Sequence, residues 1–362
     1  MNDERKIVTI TVKAEKKNIR YIDIVKALAI ILVILGHINF ANQNVKAWIY
    51  AFHMPAFFFA SGLLLKNHTG NGIRQEIAFC WQKFQSLMFP YFLWAILYTT
   101  INGHNLIRIL YGSHQTLGSA DTLTSLWFLP VLFLAMVLFA VSRLVFGKRF
   151  RLPVKLVLAA VFLAAGNLLP KYIHGYPWGA NLTLQAFGFL MLGNALFPTL
   201  QRVREKMNGR SGLGIAVLVL CLSFAATLLY RWNVPAGGYI NVANAEFGSY
   251  PLFVLLACVG IAFLLALSMV LDRLLPERQT GLAGFLVFFG KNTMCVFATH
   301  KLFIRVFKRL FAAVQVPEAV ALIVSCLGTM AACCLVALFL NRYLPTLAGR
   351  VPDRIPEKGN KE

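Results

Sequence analysis

Ten predominantly apolar runs follow one another along this 362-residue chain, at residues 22–40, 47–65, 86–101, 125–146, 154–169, 182–200, 213–230, 250–271, 284–304 and 318–340. Crossing the hydrocarbon of a bilayer takes about 20 apolar residues. Backbone polar groups there must be satisfied within the segment, which a helix does by itself. The pattern predicts an all-α fold, a polytopic membrane helix bundle of about ten transmembrane helices. Composition points the same way: 58% of residues are hydrophobic and 14% charged. A soluble domain carries about 25% charged residues, so this chain has too little polar surface to coat a water-soluble globule.

The formal charge of +21 would point to nucleic acid on a soluble protein. Here the basic residues fall in short segments between apolar runs, as orientation signals do, so nucleic acid is not expected as a partner and membrane lipid is. Placing the N-terminus in the cytoplasm puts 25 of the 35 Lys and Arg residues on that side and 7 on the other. Both termini are therefore expected in the cytoplasm of a cell that holds the chain in its plasma membrane as a multi-pass protein. The expected organisation is a cytoplasmic N-terminal segment at 1–20, a transmembrane domain at 21–342 and a cytoplasmic tail at 343–362. The first run, followed by further runs, reads as a retained span rather than a cleaved signal peptide. The seven cysteines lie mostly within apolar runs, with no CxxC, and read as packing residues.

The away-facing segments at 172–181 (YIHGYPWGAN) and 231–249 (RWNVPAGGYINVANAEFGS) are rich in Gly, Asn, Tyr and Trp. Either they form an interfacial aromatic belt or they handle a sugar.

Charges within a span cost at least about 2.5 kcal/mol, so ionisable residues there are functional candidates by default. The first run carries Asp23, Lys26 and His37. At 100° per residue the three share one helical face. Lys26 and His37 nonetheless stand about 16 Å apart along the axis, so they cannot form one pair. Two readings fit. In one, Lys26 contacts an anion near the cytoplasmic end, Asp23 holds it at an i,i+3 offset, and His37 moves protons deeper in. In the other, Lys26 snorkels to the headgroups and His37 is a neutral core residue. The second run, FHMPAFFFASG, offers His53, a bend at Pro55, and Ser61 beside Gly62, where another helix can approach closely. The ninth, FFGKNTMCVFATH, places Lys291 and Asn292 shallow and His300 deep. No metal is expected, because the histidines share no helical turn and lack a nearby carboxylate.

Five motifs in order then resemble the acyltransferase-3 family: the first run with a basic residue, ten intervening residues and a histidine; FHMPAFFFASGLLL; FPYFLW; LWFLP; and GKNTMCVFATH. They look most like its fucose 4-O-acetylase-like branch. The resemblance implies an O-acyltransferase that moves an acetyl group from acetyl-CoA to a hydroxyl of a cell-envelope carbohydrate. Envelope-biosynthesis proteins are then natural partners. It implies His37 and His300 as catalytic residues, with His53 a further candidate, and Lys26 at the donor. Where many members have clustered Arg before the third helix's proline, this chain has WQKFQSLMFP, leaving Lys83 and Arg74 as donor-phosphate contacts. The competing class is a transporter or exporter of an envelope glycan or lipid-linked intermediate, in which the buried groups serve a proton path.

Overall fold

The structure, a computed structural model, describes residues 2–38, 43–65, 72–102, 107–118, 122–172, 175–207, 210–278, 280–312, 314 and 316–350; of residues 2–19 the helical backbone alone is described. The end of the expected first run, at 39–40, and the tail at 351–362 lie outside these residues. Among the described residues there is no strand, and the β-type pairing present is a single bridge between Asn241 and Glu246.

The longer helices are α1 (Asn2–His37), α2 (Gln43–Tyr50), α3 (His53–Leu63), α4 (Ile73–Lys83), α5 (Phe89–Asn102), α6 (Phe128–Phe146), α7 (Leu152–Ala165), α8 (Thr183–Lys206), α9 (Arg210–Thr227), α10 (Tyr250–Leu274), α11 (Gly281–Lys291), α12 (Thr293–Ala312) and α13 (Glu318–Tyr343). Among the described residues, six helices are long and apolar enough to cross a membrane: Leu123–Arg149, Leu152–Pro170, Pro177–Lys206, Gly212–Asn233, Tyr250–Leu274 and Glu318–Tyr343. The pair α11 and α12, bent by 93°, makes a seventh if taken as one crossing.

Three expected runs do not reach that standard, each for a local reason. The apolar part of α1 contains Arg20, Asp23 and Lys26. The run at 47–65 is cut at Ala51 and Phe52 into α2 and α3. Pro55 explains the cut: it has no N–H to donate to the carbonyl of Ala51, and its ring would clash with that carbonyl in a continuous helix. Ala51 and Phe52 instead bond back to Trp48 and Ile49 in tight three-residue turns. The run at 86–101 is interrupted where Phe84–Met88 forms a single π-helical turn, which accommodates Pro90 just inside α5.

α1 runs against α10 and α11, α3 and α7 against α8, α9 against α10, and α12 against α13. Two contacts need glycine. A Cβ on Gly62 of α3 would stand 1.9 Å from the Leu190 carbonyl oxygen of α8, and one on Gly193 of α8 would stand 2.1 Å from that of Phe59. The small pair Ser61–Gly62 thus lies where α3 and α8 approach most closely. Asn194, the next residue of α8, donates from Nδ2 to the carbonyls of Gly62 and Leu65 at 3.3 and 2.8 Å, satisfying the orphan groups at the C-terminus of α3.

Buried ion pairs fix the remaining joints. Asp272 pairs with Arg204 of α8 at 2.7 Å and with Arg20 of α1 at 3.4 Å. Glu76 of α4 pairs with Arg143 of α6 at 2.6 Å. Around this interior, α7, α9 and α13 expose apolar side chains such as Val157, Leu222 and Leu335, each more than half exposed. Such a belt suits contact with lipid.

Candidate functional site

The C-terminal end of α1, the α2–α3 break and the middle of α12 converge, and each supplies a histidine. His37 and His300 lie with ring centroids 5.1 Å apart, edge to face. Tyr50 stands between His37, at 6.0 Å, and His53, at 4.8 Å. His53 follows the break at Ala51–Phe52 as the first residue of α3, and its ring lies against that of Tyr50, the last residue of α2.

Each ring is held in the same way. Nδ1 of His37 faces the Val33 carbonyl at 2.8 Å, Nδ1 of His53 that of Ile49 at 2.9 Å, and Nδ1 of His300 those of Val296 and Phe297 at 3.0 and 2.9 Å. A carbonyl only accepts, so in every case Nδ1 carries the proton and donates. Nε2 is then the nitrogen with a free lone pair, the state a general base requires. The Nε2 of His300 is buried with no hydrogen-bond partner, although buried polar atoms are normally satisfied. This is where a reacting hydroxyl or a relayed proton could be received.

The histidines line a cavity of about 370 Å³. Lys301 enters it beside His300 and donates to Thr124 Oγ1 at 2.5 Å. Across the cavity Lys46 sits over the ring of Tyr239 at 4.0 Å, and Tyr239 meets Tyr50 at 4.8 Å. Asn241 and Trp127 complete a wall of aromatic, amide and hydroxyl groups. His114, in the short helix His114–Leu117 outside the membrane-crossing helices, lies edge-on to Trp127. Burial, then the Lys301 ammonium, push its imidazole down to about 4 against an opposing hydrogen bond with Asn244, so it is neutral at physiological pH. A second cavity of about 370 Å³ adjoins the first, and His37 and Lys301 line both.

The structure brings His37, His53 and His300 together and leaves the other candidates elsewhere. Lys26 lines neither cavity and pairs with Asp23 at 3.1 Å, the i,i+3 contact that the spacing allows. The carbonyl of Asp23 abuts Gly290, where a Cβ would stand 1.9 Å from that oxygen, so α11 docks tightly against this turn of α1. Asn292 occupies the bend between α11 and α12, where its Nδ2 donates to the Phe288 carbonyl at 2.7 Å and its Oδ1 accepts from Asn341 at 2.6 Å. Lys291 beside it is exposed. Arg74 is exposed on α4, and Lys83 lies 5.5 Å over the Phe79 ring.

Sequence reasoning did not single out Lys301, Tyr50, Lys46, Tyr239 or His114 as site residues. Lys301 had a signal, since it directly follows His300 within an apolar run. Tyr239 and Asn241 belong to the 231–249 segment, which lines the cavity. Trp178 of the 172–181 segment instead donates to the Leu110 carbonyl and packs on Phe133, a structural role. His114 carries no local pattern that would have marked it.

A family model described as an acyltransferase domain, the acyltransferase-3 family, matches residues 19–338. No curated protein and no solved structure matches. The chain belongs to the acyltransferase-3 family: it is a multi-pass membrane enzyme that transfers acyl groups other than amino-acyl groups.

Proposed function

We propose that this acyltransferase is an O-acetyltransferase of the plasma membrane, similar to the fucose 4-O-acetylase-like branch, which moves acetyl from acetyl-CoA to a hydroxyl of a cell-envelope carbohydrate. The observation that carries the reading is the cavity in which three histidines, each held with its proton on Nδ1, meet a wall of Tyr, Trp and Asn. Aromatic faces and amides are what a sugar's C–H faces and hydroxyls require, and a lone pair at Nε2 is what its nucleophilic oxygen requires.

In this reading His37 takes the proton from the acceptor hydroxyl at Nε2, and the oxygen attacks the thioester carbonyl carbon. The C–S bond then breaks, and the CoA thiolate takes the proton back from His37. His300 and His53 hold the acceptor or relay the proton. The Lys301 ammonium faces the same space and stabilises the oxyanion that develops on the carbonyl.

With both termini in the cytoplasm, as the distribution of basic residues favours, α1, the broken α2–α3 run and α5 complete about ten crossings. Acetyl-CoA then approaches from the end of α1 at Arg20 and Lys26. Lys26, held by Asp23, with Lys83 and Arg74, serves its phosphates. Because Lys26 is about 16 Å from His37 along α1, the extended pantetheine arm has to bridge the interval. Envelope-assembly proteins would deliver or remove the glycan.

Mass spectrometry of envelope glycans from cells with and without the gene tests the reading. An acetyl-sized loss on one sugar hydroxyl is expected when the gene is absent. Unchanged acetylation together with a changed export of glycan would favour transport instead.

A further inference from the structure

The second cavity has a chemistry of its own. It lies between α12 and α13 and is lined by Lys301, Arg305 and Lys308, which recur at i, i+4 and i+7 and so share one face of α12. One carboxylate, Glu318 at the start of α13, faces these three cations. The rest of the lining is largely apolar, with Phe311 and Leu322 prominent. Outside the cavity both helices present apolar residues: Val306 and Leu310 on α12, and Ile323 and Leu327 on α13, are all exposed. A ligand fitted to this place has a compact anionic head and a hydrocarbon tail that leaves between two lipid-facing helices. Basic pockets between membrane helices bind phosphate headgroups on this principle, and Arg adds a forked donor suited to phosphate.

His37 and Lys301 line both cavities, so whatever hangs from the bound head extends toward the histidines. We propose that the α12–α13 cavity seats the phosphate ester of a lipid-linked acceptor, whose sugar enters the histidine cavity while its chain leaves between α12 and α13. This inference rests on the acetyltransferase reading above. It adds that the acceptor is presented on a lipid phosphate rather than as a free sugar.

The shared chemistry is a lipid phosphate, and its source is resolved by competition. Purified full-length protein in neutral detergent is titrated with radiolabelled farnesyl phosphate. Saturable binding is expected, weakened at least tenfold in Arg305→Gln/Lys308→Gln and measurably in Lys308→Gln, a change at an exposed position that leaves the thermal transition in place. Unlabelled farnesyl phosphate should displace the probe; phosphatidylglycerol, inorganic phosphate and CoA should not. Equal displacement by phosphatidylglycerol would make the cavity a site for bulk anionic lipid. Displacement by CoA would make it the donor site, and displacement by inorganic phosphate an unspecific anion site. Each of these overturns the proposal, as does equal binding by wild type and variants.

Acetyl transfer from radiolabelled acetyl-CoA separates this inference from the one beneath it. The double variant should lose transfer to a farnesyl-phosphate-linked sugar through a raised KM while keeping transfer to the free sugar. Transfer to both acceptors at wild-type rates would defeat the lipid-phosphate site alone. No transfer by wild type to any sugar, with farnesyl phosphate still bound, would defeat the acetyltransferase reading alone.

Discussion

Gly36 precedes His37, and a Cβ at this position would stand 2.8 Å from Cε2 of Tyr50 and 3.3 Å from Cγ2 of Ile49. Tyr50 separates His37 from His53, so Gly36→Ala has to move its ring within the cavity. We expect kcat to fall about tenfold or more, since small misplacements at a reacting centre are costly, with little change in the thermal transition because the displaced atom is the tip of a side chain. Equal kcat would show that Tyr50 positions nothing. His114 yields a pH prediction. Its imidazole is held near 4 against about 6.5 in an unfolded chain, so the unfolded state takes up the proton first as pH falls. Stability conferred by neutral His114 is therefore present above about pH 6.5 and lost between 6.5 and 4. Thermal unfolding of His114→Gln should lose less stability than wild type over that interval. Lys26, His37, His53 and His300 were legible in the sequence because ionisable residues stand out in apolar runs. The grouping of the three histidines was not: His37 ends α1, His53 opens α3 after the break between helices α2 and α3, and His300 comes from a distant segment. Lys301 and His114 join them only through tertiary packing.

At the scale of elements, the α3–α8 contact depends on two glycines whose missing side chains face backbone atoms that cannot yield. Gly193→Ala should destabilise the protein by about 1–3 kcal/mol, as overpacking of a tight contact does. The measurement is the midpoint of thermal unfolding in detergent, and an unchanged midpoint would mean that the helices are looser than described. The Ser61–Gly62 pair made a close approach legible. Its partner surface, Gly193 with the Asn194 cap, was hidden because nothing in a single run says which other run it faces. Pro55 was legible as a bend. That it ends α2 and starts a new helix depends on the two tight turns at Ala51 and Phe52, which hydropathy does not register. The buried Glu76–Arg143 pair is a third case. Glu76→Ala removes the carboxylate that pairs with buried Arg143 and should cost about 3–5 kcal/mol, whereas a loss below about 1 kcal/mol would show that the pair contributes little to stability.

For the whole molecule, hydropathy read the helical class and the membrane correctly, since apolar runs of bilayer length have few other uses. It did not register that α2, α3 and α5 are short or interrupted, nor that α2 and α3 supply Lys46, Tyr50 and His53 to the cavity wall. Membrane proteins place irregular backbone where it lines a protein interior rather than lipid, and the broken α2–α3 run lines the site in this way. The orientation is testable with cysteine accessibility in a variant lacking the native cysteines. Gly237→Cys should react with an impermeant reagent in intact cells, and Arg278→Cys only after the membrane is opened; the reverse would invert the topology. The central claim is that Nε2 of His37 takes the acceptor proton. The direct test is acetyl transfer from radiolabelled acetyl-CoA to a sugar acceptor by purified wild type and His37→Ala with matched thermal transitions. A loss in kcat of about 10²–10⁴ is predicted for a missing general base; transfer at the wild-type rate would contradict it.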